Sequence, residues 1–163
     1  MTSEATGTKD SCTCQKCQNA CRRKPGWFLP DEVEKAAEYL GLPSKDFFEA
    51  YLGIDWYYPD NWTTEIIFIL APALLGTDPG AEYPSKREGT CTFLEDGRCK
   101  IHPVRPYECR EYVHSEPNKT LDLRHADVAS VWKGHLDQII DLLGWEPFVK
   151  VEEPSFVWPL GEY

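Results

Sequence analysis

The stretch Cys91–Tyr112 reads CTFLEDGRCKIHPVRPYECREY and carries three of the seven cysteines, at Cys91, Cys99 and Cys109. The other four lie upstream in Cys12–Cys21, which reads CTCQKCQNAC. Thiols grouped this tightly are typical of metal or redox sites in a reducing compartment. The two groups can share one metal only if the domain folds around it, so metal binding would contribute directly to folding.

The upstream group offers several possible ligands. Cys14 and Cys17 have a C-x2-C spacing, which lets two thiolates turn onto one metal, and Cys17 and Cys21 have a C-x3-C spacing, which presents both from one helix face. We expect the three downstream cysteines plus one of Cys17 or Cys21 to hold the metal, with Cys14 as a weaker candidate. Cys12 is the remaining thiol.

The spacing leaves the identity of the metal open. Structural zinc sites normally use two compact pairs of ligands, and the downstream cysteines are separated by seven and nine residues, which is looser. Iron–sulfur clusters accept such mixed spacings, and three downstream ligands plus one upstream ligand would suit a [4Fe–4S] cluster. Zinc remains the alternative.

Other polar residues near Cys109 could assist the metal. Arg105 and Arg110 flank this cysteine, and their guanidinium groups could hydrogen-bond to the sulfurs and offset their negative charge. The alternative is that both arginines pair with surface carboxylates. His102 is interpreted as a packing residue rather than a ligand, and His114 is a further candidate ligand.

The downstream motif resembles that of the YkgJ-type cysteine-cluster family (CxxCxxCC), which is described as zinc- or iron-chelating. The family pattern is close to C-x-F-L-x-x-x-x-C-x-I-[YH]-x-x-R-P-x-x-C-R, and Cys91–Arg110 matches it almost position by position. Upstream, the family commonly has adjacent cysteines where this chain has Ala20 and a single Cys21. The resemblance covers roughly Cys14–Tyr112 and extends to the long final helix. It implies a metal cluster, and relatives that include flagellin lysine methylases favour [4Fe–4S].

Charge and hydropathy limit the partners. The chain has 17 basic and 27 acidic residues, for a net charge of −10, which disfavours binding to nucleic acid or to anionic membranes. The longest apolar run, Ile66–Leu75, is interrupted by Pro72 and is about half the length of roughly twenty residues needed to span a bilayer. The polar start of the chain lacks the apolar region of a secretory signal, so we expect a cytoplasmic location.

Three functional classes follow from these features. The first is a [4Fe–4S] protein with a redox or accessory role beside a partner enzyme, such as one that modifies proteins or peptides. The second is a structural zinc module that binds another protein without electron chemistry. The third is an enzyme with an open metal site, in which Cys12 and Cys14 form a redox pair. We identify no catalytic constellation, such as a Ser/His/Asp arrangement or a phosphate loop.

The element pattern predicts one small domain. We expect a flexible tail over 1–11, a metal-binding domain over 12–144 and an extended tail over 145–163 that packs on it. The fold class is α-rich α+β, with about four helices and a minor β element around a cysteine-bound metal centre. Towards the start of the domain we expect a helix at Leu29–Gly41, a short helix from Ser44 that includes Leu52, and a loop or an irregular edge at Trp56–Trp62. Further along we expect a strand at Thr64–Ala71, a turn at Asp96–Gly97 and a helix at Leu123–Leu143 with His135 on its apolar stripe.

Overall fold

The structure of the protein is a computed structural model that describes residues 21–23, 25–59, 65–111 and 125–149. Residues 21–23 are helical. The further elements are, in chain order, α1 (Pro30–Tyr39), α2 (Ser44–Tyr51), β1 (Leu52–Tyr57), β2 (Ile67–Pro72), β3 (Ala81–Glu82), β4 (Leu94–Glu95), β5 (Arg98–Cys99), a 3-10 turn (His102–Val104), α3 (Tyr107–Glu111), α4 (His125–Trp132) and α5 (Leu136–Leu143).

The prediction of an α-rich fold is wrong, because the described residues form a mixed α+β structure with two small sheets. The larger sheet has the order β2-β1-β3. Strand β1 pairs antiparallel with β2, from Leu52 opposite Pro72 to Tyr57 opposite Ile67, and parallel with β3. Helix α2 packs against β1, while α4 and α5 pack against β2, so this sheet forms the centre of the fold.

Strand β1 is the element that the sequence pattern misses. The pattern predicts Leu52 in a helix and Trp56 in a loop or an irregular edge, whereas both lie in this strand, which is the central one of its sheet. Gly53 and Asp55 are poor strand residues, and β1 follows α2 without an intervening loop. Because the first five residues of β1 are all buried, no alternation of polar and apolar side chains marks the strand.

The single helix predicted at Leu123–Leu143 is two helices in the structure. Helix α4 ends at Trp132 and α5 begins at Leu136, with Gly134 in the connection, where a glycine weakens helix continuity. His135 lies just before α5 and is exposed, so its assignment to the apolar stripe is wrong. No helix within the described ranges is both long and apolar enough to cross a bilayer.

Two local predictions are confirmed. Helix α1 begins at Pro30, which suits the first helical turn, and it buries one face through Val33, Ala36 and Ala37. Strands β4 and β5 form a hairpin whose turn residues, Asp96 and Gly97, have φ values of +52° and +77°. Positive φ at both central positions is the geometry that favours an Asp-Gly turn.

One hydrophobic core joins the central sheet to the cysteine-bearing segments. Cys91 is part of this core, and Cys21 and Cys99 pack against it. Trp27 and Phe28, which precede α1, are buried in the same cluster, and the amide of Phe28 donates to the carbonyl of Leu70 in β2 over 3.1 Å. The fold therefore holds Cys91 within its core and Cys21 and Cys99 against that core.

Candidate metal centre

The backbone brings the upstream and downstream cysteine segments together. The amide of Cys91 donates to the carbonyl of Cys21 over 2.7 Å, and the amide of Gly89 donates to the carbonyl of Arg23 over 2.8 Å. The helical segment 21–23 therefore lies alongside the irregular residues that lead into the downstream motif. Chain regions about seventy residues apart meet at this point.

The β4–β5 hairpin relates Cys91 to Cys99. Cys99 is directly opposite Leu94 in the hairpin, and the amide of Lys100 donates to the carbonyl of Phe93 over 2.8 Å. Cys91 precedes the first strand and makes an isolated antiparallel bridge with Leu74. The Asp96–Gly97 turn therefore brings the chain segments that carry Cys91 and Cys99 to the same end of the hairpin.

The backbone around the cysteines favours charge on three of the sulfurs. The amide of Phe93 donates to Cys91 Sγ over 3.4 Å. Hydrogen bonding from the Ile101 backbone lowers the pKa of Cys99, and hydrogen bonding from the Gly26 backbone lowers the pKa of Cys109. Hydrogen bonds of this kind stabilise a thiolate because they favour its charged form. A sulfur that bears charge in a metal complex would be stabilised in the same way.

The four described thiols favour the protonated form in the metal-free protein. Burial raises the pKa of each one, to about 11 for Cys99, and raises that of Cys91 well above its ordinary value. The charges of Cys109, Cys21 and Cys99 raise the pKa of Cys91 further, so these sulfurs lie within electrostatic reach of one another. A bound cation would offset this repulsion and release protons from the thiols.

Two arginines supply positive charge to the cysteines. Arg105, a predicted assisting residue, lowers the pKa of Cys99 and donates from Nη1 to the carbonyl of His102 over 2.7 Å. The same nitrogen lies 3.3 Å from His102 Nδ1. Arg22 lowers the pKa of Cys21. It was not among the predicted assisting residues, although its position next to that cysteine was a usable signal.

The described residues contain no ready-made coordination shell. No three His, Cys, Asp or Glu side chains in that part of the chain are arranged to hold a metal ion. Cys12, Cys14, Cys17 and His114, as well as the side chain of Arg110, lie outside the described residues. The cysteine thiols nevertheless fit a thiophilic metal such as zinc or an iron–sulfur cluster, because backbone N–H groups and arginine side chains nearby can offset the charge on the sulfurs.

A buried polar network beside Cys109 was not predicted from the sequence either. The fully buried Asp55 accepts hydrogen bonds from Trp27 Nε1 and from Arg87 Nη1, each over 2.8 Å. Glu108 accepts from the amide of Trp27 over 2.8 Å, and its other oxygen lies 2.6 Å from His125 Nδ1. Asp55 lies among aromatic residues in the sequence, and nothing local there identified these partners.

Stacking reinforces this network. The imidazole of His125 stacks on the indole of Trp27 with ring centroids 3.6 Å apart, and the ring of Tyr57 meets both edge-on. Trp27 is almost fully buried, whereas the side chain of His125 is half exposed. The arrangement joins the segment before α1 to the starts of α3 and α4, which positions Cys109 relative to the core.

Comparison with known proteins supports a metal-binding assignment. No curated protein and no solved structure matches the chain. One family model does match, described as "Putative zinc- or iron-chelating domain", and it covers residues 13–129, well over half of the chain. This match includes all the predicted ligand cysteines and confirms the family resemblance, and it supports metal binding without distinguishing zinc from iron. The chain therefore belongs to the CxxCxxCC family of zinc- or iron-chelating domains.

Proposed function

We propose that this protein holds a [4Fe–4S] cluster through Cys91, Cys99 and Cys109 together with Cys17 or Cys21, and that the cluster serves a partner enzyme. The observation that carries the proposal is the meeting of Cys21 with the downstream motif, where the amide of Cys91 donates to the carbonyl of Cys21 over 2.7 Å. Four thiolate ligands match the requirement of such a cluster.

The charge on the site supports a polyanionic thiolate cluster. Burial disfavours charged thiols, and Arg22 and Arg105 partly offset this effect. Amide hydrogen bonds and positive charge near the sulfurs are among the factors that set the reduction potential of an iron–sulfur cluster. These features suit a centre that changes its oxidation state.

The role beside a partner rests on the surface charge. A net charge of −10 favours a partner with a basic face, because complementary charge accelerates encounter. We infer an accessory or electron-transfer role in a reducing compartment such as the cytoplasm, where free thiols persist.

A structural zinc module is the second candidate, favoured by the family description, which names zinc as well as iron. The hairpin that relates Cys91 to Cys99 would then serve as one half of a zinc site. A closed zinc site would stabilise the fold and leave the protein to act through its surface.

One preparation separates these candidates. The full chain is purified without oxygen, its visible spectrum is recorded, and iron, zinc and acid-labile sulfide are counted per chain. A brown protein with about four iron and four sulfide supports the [4Fe–4S] proposal. A colourless protein with about one zinc and no sulfide rejects it in favour of the zinc module. A chain that retains neither metal contradicts both.

A further inference from the structure

Gly26 approaches Cys109 so closely that a side chain has no room. A Cβ atom on Gly26 would lie 2.8 Å from Glu108 Cβ, 2.9 Å from the Cys109 amide nitrogen and 3.0 Å from Cys109 Sγ. Hydrogen bonding from the Gly26 backbone lowers the pKa of Cys109, in keeping with this close approach. Glycine is therefore required here for contact between its backbone and a predicted metal ligand.

Trp27 holds the neighbouring Gly26 amide in place through hydrogen bonds of its own backbone and of its indole ring. Its own amide donates to Glu108 over 2.8 Å, and its carbonyl accepts from the Glu108 amide over 3.4 Å. At its other end, the indole N–H donates to Asp55, which Arg87 holds by a 2.8 Å ion pair. The residue next to Gly26 is therefore tied both to α3, which carries Cys109, and to the central strand β1.

We propose that Trp27 is a positioning residue for the metal centre, and that through the Gly26 amide it sets how strongly the Cys109 sulfur donates to the bound metal. This inference rests on the proposed function. A hydrogen bond to a thiolate withdraws electron density from sulfur, so its geometry alters both metal affinity and the energy of sulfur-to-metal charge transfer.

Co²⁺ is a suitable probe, because its thiolate complexes have charge-transfer bands that report on the sulfur. Metal-free full-length protein is titrated with Co²⁺ without oxygen, for the unaltered chain and for Gly26→Ala and Trp27→Phe. We expect an affinity about tenfold lower in each variant, which is the lower end for loss of a residue that orients a ligand. The charge-transfer band should move to longer wavelength, since a sulfur with a weaker hydrogen bond gives up electron density more easily.

Trp132→Phe is the matched control. Trp132 is as buried as Trp27, and its indole N–H makes a comparable hydrogen bond, to the carbonyl of Phe28 over 2.7 Å. This variant should also lose stability, though less than Trp27→Phe because its partner is a neutral carbonyl, while its Co²⁺ band and affinity remain those of the unaltered protein. Equal shifts in Trp27→Phe and Trp132→Phe would reduce Trp27 to a general packing role and overturn the inference.

The two proposals fail in different ways. If the unaltered chain binds no Co²⁺, iron or zinc, the metal-centre proposal is wrong and this inference falls with it. If it binds Co²⁺ and Trp27→Phe leaves band and affinity unchanged, only the positioning role is wrong. Trp27→Phe keeps an aromatic ring for the stack with His125. This variant therefore tests the positioning role of Trp27 even where Gly26→Ala prevents folding.

Discussion

The amide of Cys91 donates a 2.7 Å hydrogen bond to the carbonyl of Cys21, although about seventy residues separate them in the chain. A second bond, from Gly89 to Arg23, continues this pairing. Both bonds join backbone groups, so part of the geometry that unites Cys21 with the downstream cysteines is set by the backbone itself. A metal ligated from both groups would then bind to a partly organised site, with a smaller entropic cost than in an unfolded chain.

Replacement of Cys109 by Ser should cost the protein most of its bound metal and destabilise the domain. Loss of a ligand at a site saturated about 100-fold above its Kd would remove about 2.7 kcal/mol of stability. Metal content per chain and the urea midpoint provide the measurements. Cys12→Ser is the control and should leave both nearly unchanged, whereas full metal content in Cys109→Ser would contradict the proposed ligand set.

Gly97→Ala should destabilise the hairpin between Cys91 and Cys99. Gly97 has a φ of +77°, and an L-residue in this region costs about 1–2 kcal/mol. Gly134→Ala is the matched control, because a Cβ there meets open space and the substitution should be neutral or stabilising by up to about 1 kcal/mol. Thermal unfolding of both variants tests the prediction, and equal Tm values would refute it.

Features set by neighbouring residues were predictable from the sequence. The Asp96–Gly97 turn and the start of α1 at Pro30 follow from local backbone preferences, and both are present. The approach of Cys21 to the downstream segment is what a metal shared by the two cysteine groups would require, whereas the position of the other upstream cysteines stays a prediction.

Features set by distant partners were not predictable. Asp55 is buried because Trp27 and Arg87, 28 and 32 residues away, supply its hydrogen bonds. No periodic pattern identifies such partners. Strand β1 was missed for a related reason: both of its faces are buried, so its sequence shows no alternation of polar and apolar residues. Glu108 and His125 meet for a comparable reason, across a gap of 17 residues.

Arg87→Ala should destabilise the protein strongly, because it leaves the fully buried Asp55 carboxylate without its ion-pair partner. Removing one member of a buried pair costs about 3–5 kcal/mol, and we expect the lower end because Trp27 Nε1 and the Trp56 amide still donate to Asp55. Lys133→Ala, which breaks an exposed pair with Glu65, is the control and should cost at most about 1 kcal/mol. Urea unfolding compares the two, and similar losses would contradict the prediction.

The metal-free protein should become less stable as the pH rises above about 9. Burial raises the pKa of Cys99 from its ordinary value of 9.0 to about 11, so the unfolded chain releases this proton at a lower pH than the folded chain. Stability that is fully present below pH 9 is therefore lost between pH 9 and 11. Urea midpoints at pH 7.5 and pH 10 measure the loss. The metal-free Cys99→Ser variant should show a smaller loss, and metal-loaded protein, whose ligands are already deprotonated, a smaller one still. An equal pH dependence in all three would show that the buried thiols do not control it.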